Sequence, residues 1–214
     1  MTPSRLVPAA LAGCCLAMAL AGCAPLVFGG AAMGSLVAVD RRTSGAQLED
    51  EGIELRASRR VRDTIGDRAH INITSYNRQV LLTGEVPSDA DRQTAEQAIG
   101  KVENVRAVIN ELAVMGNSSL TQRSSDALTT GKIKASLVDD KLLQAGAFKV
   151  VTERGTTYLM GLVTPQEAER ATNLARTVGG VQRVVRVFEL ISPDDLGRIA
   201  TTPLKQDTTP RQAP

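Results

Sequence analysis

Short apolar runs recur along the chain in a pattern that predicts β-hairpins. The segments "VLLTGEV" at 80–86 and "YLMGLV" at 158–163 are both apolar, and each carries an internal glycine. Each follows an alternating segment, "HINIT" at 70–74 and "KVVT" at 149–152, after a few polar residues. Alternation over four to eight residues with a polar interruption is typical of two antiparallel strands joined by a turn.

A helix is predicted on both sides of each hairpin. Ala57, Val61 and Ile65 recur at every fourth position before the first hairpin, and Ile133 and Leu137 do so before the second. This spacing places apolar side chains along one face of a helix. The helices that follow the hairpins have marked starts: Ser88 with Asp91, and Thr164 with Pro165 and Glu167.

A third strand closes each unit, at "VENVRAVINELAV" (102–114) and "GGVQRVVRVFELI" (179–191). The order helix, strand, strand, helix, strand predicts an α+β fold of two tandem αββαβ modules. Each module is expected to be a small three-stranded mixed sheet with both helices on one face.

The two modules are a duplication. Gly84 and Gly161 are 77 positions apart, whereas Val105 and Val181 are 76 apart, so one residue has been lost in a loop. Self-similarity at this period indicates repeated small domains. We therefore assign module 1 to 46–115, a linker to 116–123 and module 2 to 124–191. Residues 192–214 contain four prolines and no apolar periodicity, and are expected to be a disordered tail.

The N-terminal segment predicts export and lipid attachment. Residues 1–22 combine Arg5 with an apolar stretch, as in a signal peptide, and "LAGC" at 20–23 resembles the bacterial lipobox. Cys23 is the expected lipidation site, and 23–45 would be a tether near the membrane. A second "LAGC" ends at Cys14, but cleavage there leaves an apolar core of only about seven residues. An ordinary signal peptide is the alternative. By resemblance to enterobacterial lipoproteins, Ala24 predicts transfer to the outer membrane.

The repeated "G-x-V" strands, each followed by a capped helix and valines at every third position, resemble BON domains. The layout of residues 40–191 resembles the dual-BON-domain outer-membrane lipoproteins of the DolP type, most clearly at 40–56, 71–87 and 158–164. That resemblance implies a protein on the periplasmic face that binds anionic phospholipid, such as phosphatidylglycerol, through its second BON domain. It also implies a role in envelope integrity and a location at division sites.

The two modules differ in net charge, and the difference indicates which part of module 2 would bind lipid. Residues 46–115 hold nine basic and twelve acidic residues, a net −3, while 124–191 hold nine and seven, a net +2. A basic helix carrying an exposed leucine suits an anionic bilayer, although an ordinary solvated helix has the same composition. The family resemblance favours the bilayer, and it also implies an aromatic near Leu128, whereas the chain has no Trp. The predicted lipid-binding residues are Leu128, Thr129, Lys132, Lys134 and Ala135.

Catalysis and nucleic-acid binding are not indicated. His70 is the only histidine, and we expect it to be structural, with no metal-ligating set, no metal and no cofactor. Stacking aromatics are too few for a single-strand binder. The rival to lipid binding is a periplasmic protein–protein interaction module, which would bind envelope proteins and have no lipid specificity.

Overall fold

The computed structural model describes residues 40–201 and contains two αββαβ units in tandem, which confirms the predicted fold. The first comprises α1 (Ser44–Ile65), β1 (His70–Tyr76), β2 (Gln79–Val86), α2 (Asp89–Gly100), β3 (Ala107–Asn110) and β4 (Ala113–Val114). The second comprises α3 (Leu120–Asp139), β5 (Phe148–Glu153), β6 (Thr156–Val163), α4 (Pro165–Thr177) and β7 (Arg183–Leu190), and is followed by α5 (Pro193–Thr201). Short 3₁₀ turns at Gly66–Arg68 and Ala145–Ala147 precede the two hairpins.

Both sheets are mixed, with the second hairpin strand in the centre. β1 and β2 pair antiparallel and β3 adds to β2 in parallel; β5, β6 and β7 repeat this arrangement. Module 1 differs from the three-stranded prediction because β4 also pairs with β2. The third strand of module 1 is thus split into two short strands, β3 and β4, whereas the third strand of module 2, β7, is continuous over eight residues.

The helices of each module cover one face of its sheet, as predicted. The expected apolar stripe of α1 is buried against alternate residues of β2, and Ile133 and Leu137 of α3 are buried in module 2. The α4 start forms a capping box, in which Thr164 and Glu167 each accept a hydrogen bond from the other's backbone N–H. Caps and apolar periodicity therefore agree on where these helices begin and which side they bury.

The remaining faces of the two sheets pack against each other. Tyr76 and Leu81 of module 1 form one buried cluster with Tyr158, Met160 and Val187 of module 2. The Tyr76 hydroxyl donates to the carbonyl of Ala147 and accepts from the backbone of Leu162, both at 3.3 Å, and its burial raises the pKa of Tyr76 to about 12. The layers are consequently helices, sheet, sheet, helices, and α1 and α3 lie on opposite outer layers.

A buried aspartate at the same place in both modules holds the hairpin turn. Asp50 of α1 accepts from the backbone N–H groups of Asn77 and Arg78, both at 2.7 Å. Asp126 of α3 accepts from the turn residues Arg154 and Gly155 at 2.8 and 3.0 Å. All four turn residues have positive φ, between 48° and 70°, as the favoured two-residue hairpin turn requires. The duplication therefore extends to a buried polar contact.

The glycines inside the central strands are required by close backbone approach. A Cβ on Gly84 would lie 2.0 Å from the carbonyl oxygen of His70, and one on Gly161 would lie 2.4 Å from that of Ala147. Gly84 also has φ of +112°. Glycine inside a strand commonly marks such a close approach by another segment.

Three predicted boundaries need correction. α3 begins at Leu120 with Ser119 as its N-cap, so the helix includes half of the predicted linker 116–123. Residues 193–201 of the predicted disordered tail form α5, because Ser192 caps a short amphipathic segment. The predicted tether 23–45 ends in ordered structure: Arg41 is buried and makes a bidentate ion pair with Glu167 at 2.6 and 2.9 Å. The predicted signal peptide 1–22, residues 23–39 and residues 202–214 lie outside the described residues.

Candidate functional site

The outer side of α3 is the surface on which sequence analysis placed the site. Ile133 and Leu137 point into the core, and a helix advances about 100° per residue. Leu128, Lys132 and Ala135 are accordingly on the outer side, and all three are exposed. Lys134 is exposed as well, on the other flank. Four of the five predicted residues therefore share one accessible surface.

Thr129 does not belong to this surface, and its inclusion in the predicted set was wrong. Its side chain is 4% exposed, and its hydroxyl donates to the carbonyl of Ser125 at 3.0 Å. A Cβ on Gly180 would lie only 2.5 Å from the Thr129 hydroxyl. The threonine thus packs beneath the helix against the turn before β7, one position away from the exposed Leu128.

An apolar stripe that was not predicted in full runs along the outer side of α3. It consists of Leu128, Gly131, Ala135 and Val138, with Leu142 just beyond the helix end, and we call it the α3 stripe. The spacing of three and four residues keeps the four helical positions on one face. Leu128, Val138 and Leu142 are 69%, 59% and 70% exposed. Val138 could have been found by continuing the helical spacing from Leu128, whereas Leu142 lies beyond the helix end, where that spacing no longer applies.

Lysines border the α3 stripe on both sides. By helical position Lys132 is on one flank and Lys134 on the other, and the exposed Lys141 lies near the helix end. Within the described part of the chain these three lysines take part in no ion pair. Asp139 is exposed at the edge of the stripe, whereas Asp140 is paired with Arg170 at 2.8 Å. Arg170 neutralises the charge of Asp140, so Asp140 does not compete for the lysines beside the stripe.

The equivalent surface of module 1 has different chemistry. At an offset of 76 residues, Gly52 stands where module 2 has Leu128, and Arg59 and Arg62 stand where it has Ala135 and Val138. Arg56, at the position of Lys132, is ion-paired with Glu49. Leu48 and Leu55 are exposed on α1 as well, but Arg59 and Arg62 interrupt its outer face, so of these two helices only α3 has a continuous apolar stripe with unpaired lysines on its flanks.

A second cluster lies between the two sheets. His70 donates from Nδ1 to Glu85 Oε2 at 3.0 Å, and Asn72 donates to the carboxylate of Glu153. One ligand atom each from His70, Glu85 and Glu153 lie within 4.8 Å of one another. The expectation that no metal-ligating set converges was wrong. The register of β1 and β2 places His70 opposite Glu85, and the packing of the two sheets brings Glu153 of module 2 to them.

Electrostatics differ between the two carboxylates of this cluster. Burial by itself raises the pKa of Glu85, but hydrogen bonds from Ser118 and Arg154 outweigh it and hold that pKa below its usual value. Burial raises the pKa of Glu153, and the hydrogen bond from Asn72 does not cancel the effect. A cavity of about 270 Å³ borders His70 and Glu153.

The predicted lipid anchor and the described part of the chain are separate. The predicted lipidation site Cys23 lies outside it. Between residues 40 and 201 the structure has no helix that is sufficiently long and apolar to span a bilayer.

Similar proteins agree with the architecture. The BON domain family matches residues 50–116 and 125–191. The chain is 36% identical over 174 residues to outer membrane lipoprotein DolP of Haemophilus influenzae, covering 80% of this chain and 90% of that protein. It is 32% identical over 155 residues to the 21 kDa hemolysin of Actinobacillus pleuropneumoniae, covering 72% and 80%. Osmotically-inducible protein Y of Escherichia coli is 32% identical over 117 residues, covering 53% and 58%. These matches confirm the resemblance seen in the repeated strands.

Proposed function

We propose that this chain, which belongs to the BON-domain family, is a non-enzymatic outer-membrane lipoprotein that faces the periplasm and binds anionic phospholipid through α3. Cys23 would carry the anchor, and the protein would support envelope integrity, with enrichment at the division septum. The observation that carries the proposal is the α3 stripe with unpaired lysines on both flanks. The similarity to DolP supports the outer-membrane location.

The α3 stripe suits a lipid surface for two physical reasons. Leu128, Val138 and Leu142 gain free energy when they leave water, about 1.5–3 kcal/mol for each side chain that is fully buried. Lysines near an anionic bilayer contribute about 1 kcal/mol each. Helices with an apolar face and basic flanks lie in the plane of the interface, which would keep both modules outside the hydrocarbon.

Reversing two flanking charges should weaken lipid binding. The double variant Lys132→Glu and Lys134→Glu changes the surface by four charge units, so at about 1 kcal/mol per charge we expect a loss of well over tenfold in affinity. The fold should survive because neither side chain is buried. The measurement is a titration of the soluble form beginning at Ala24 with phosphatidylglycerol vesicles and with phosphatidylcholine vesicles.

Module 1 offers a matched control. Arg59→Glu with Arg62→Glu makes the same charge change on exposed positions of α1, and this variant should bind like the unmodified protein. The loss in the lysine variant should shrink as salt is raised, since exposed charges are screened within about 8–10 Å at physiological ionic strength. Equal binding of all three proteins to both vesicle types would contradict the proposal and favour a protein-docking module.

A further inference from the structure

The cluster between the sheets brings metal-ligating groups together from both modules. His70 and Glu85 are directly opposed on the antiparallel strands β1 and β2, and Glu153 ends β5. An imidazole nitrogen and two carboxylate oxygens therefore converge from positions 15 and 83 residues apart, counted from His70. Their mutual distances of 4.8 Å or less need only a small contraction to surround a cation with bonds of about 2.0–2.2 Å.

The charges in the cluster leave one carboxylate without a counterion. Glu85 is fully buried and is compensated by Arg154 at 2.6 Å. Glu153 is 7% exposed, is hydrogen-bonded by Asn72, and takes part in none of the ion pairs found in residues 40–201. Burying an unpaired carboxylate is unfavourable. A divalent cation beside Glu153 would supply the missing positive charge.

The chemistry of the three ligand groups and the size of the adjoining cavity favour one class of metal ion. One imidazole and two carboxylates suit Zn²⁺ and similar transition metals, which accept three protein ligands with water in the fourth position. Ca²⁺ and Mg²⁺ prefer all-oxygen sets. The adjoining cavity of about 270 Å³ has room for that water.

We propose that His70, Glu85 and Glu153 form a site for Zn²⁺ or a similar divalent transition metal, and that the bound ion joins module 1 to module 2. The ion takes the place of the proton that His70 Nδ1 donates to Glu85, and the neutral imidazole then carries its proton on Nε2. Because the ligands come from both modules, binding favours the packed arrangement over a separated one. This role is independent of the α3 stripe, which lies on an outer layer.

The test is a Zn²⁺ titration of the full chain in detergent, made without a histidine tag. His70 is the only histidine, so its imidazole NMR signals report on this site even if thiols elsewhere bind zinc. The expected result is a saturable shift of these signals at micromolar Zn²⁺, no shift with millimolar Ca²⁺, and a zinc-dependent rise in the unfolding temperature. Glu153→Gln should raise the midpoint at least tenfold, while Glu51→Gln, at an exposed position of α1, should match the unmodified chain.

Two results would overturn the metal site. One is the absence of any zinc-dependent shift of the His70 signals in the unmodified chain. The other is an equal midpoint for the unmodified chain and Glu153→Gln, which would mean that zinc binds without Glu153 and so does not join the two modules. If Glu153→Gln does not fold, His70→Gln serves as the second variant, and retention of the zinc-dependent rise in unfolding temperature would equally overturn the proposal.

Discussion

Replacing Asp50 with Ala is expected to lower the free energy of unfolding by about 3–5 kcal/mol, the range for breaking a buried charged network. Asp50 is 2% exposed and accepts hydrogen bonds from Ser75, Asn77, Arg78 and Arg42, each at 2.7 Å. Alanine would leave the turn's backbone N–H groups without their acceptor, and the Arg42 guanidinium would keep only its pair with Asp40. Denaturant unfolding monitored by circular dichroism measures the change.

The neighbouring acidic residue provides the control. Glu51 is exposed on the same helix, and Glu51→Ala should change the free energy of unfolding by no more than about 0.5 kcal/mol, as is usual for surface positions. A similar small change for Asp50→Ala would contradict the role assigned to the buried aspartate.

The same residue predicts a pH dependence. Burial by itself raises the pKa of Asp50, but hydrogen bonds led by the one from Ser75 outweigh it, so the pKa lies below the usual value. A carboxyl whose pKa is lowered by folding stabilises the native state above its unfolded pKa of about 3.9, and that contribution is lost as the pH falls through the folded pKa. Asp50→Asn should therefore flatten the decline in stability below about pH 4. If the free energy of unfolding of Asp50→Asn falls with pH below about 4 as steeply as that of the unmodified protein, this role of Asp50 is contradicted.

Cys23→Ala should release nearly all of the protein from outer-membrane fractions. A single acyl chain gives only marginal membrane binding, whereas the several chains of a mature bacterial lipoprotein anchor it stably. Binding by α3 alone would be reversible and sensitive to salt. The measurement is immunoblotting of outer-membrane fractions after a high-salt wash.

The other "LAGC" supplies the control for this experiment. Cys14 ends that motif, and Cys14→Ala should leave the protein in the outer-membrane fraction. Retention of Cys23→Ala after the wash, or release of Cys14→Ala, would show that Cys23 is not the anchored residue.

Sequence periodicity was sufficient to predict each module. Ala57 and Val61 are four residues apart, as are Ile133 and Leu137. This spacing indicated the buried helical faces, because apolar residues at helical spacing lie on the side that packs against the core. Ser88 and Thr164 located the helix starts, because an N-cap side chain bonds to a backbone N–H only three residues further along the chain. The split of the third strand of module 1 into β3 and β4 was not predicted, since nothing in the apolar pattern of 102–114 indicates a break.

Packing between the modules was less accessible to sequence reasoning. The central strands did carry a signal: "VLL" at 80–82 and "YLM" at 158–160 are uninterrupted apolar runs, which are typical of strands covered on both faces. Which residues would meet across the two sheets depends on their relative orientation, and no local pattern encodes it. The contact of Asn72 with Glu153 and the burial of Arg41 follow from that orientation, whereas the contact of His70 with Glu85 follows from the register of β1 and β2. Thr129 was misplaced because a helical residue beside an exposed leucine can still face inward.

Spin-labelled phosphatidylglycerol gives the most direct test of lipid binding by α3. Amide NMR signals of the soluble form would be recorded in phosphatidylglycerol vesicles or micelles with a label in the lipid headgroup region. Broadening should be greatest from Leu128 to Leu142, weak along α1 at 44–65 on the opposite layer, and reduced in the variant with Lys132→Glu and Lys134→Glu. Broadening centred on α1, or none anywhere, would contradict the assignment of lipid binding to α3.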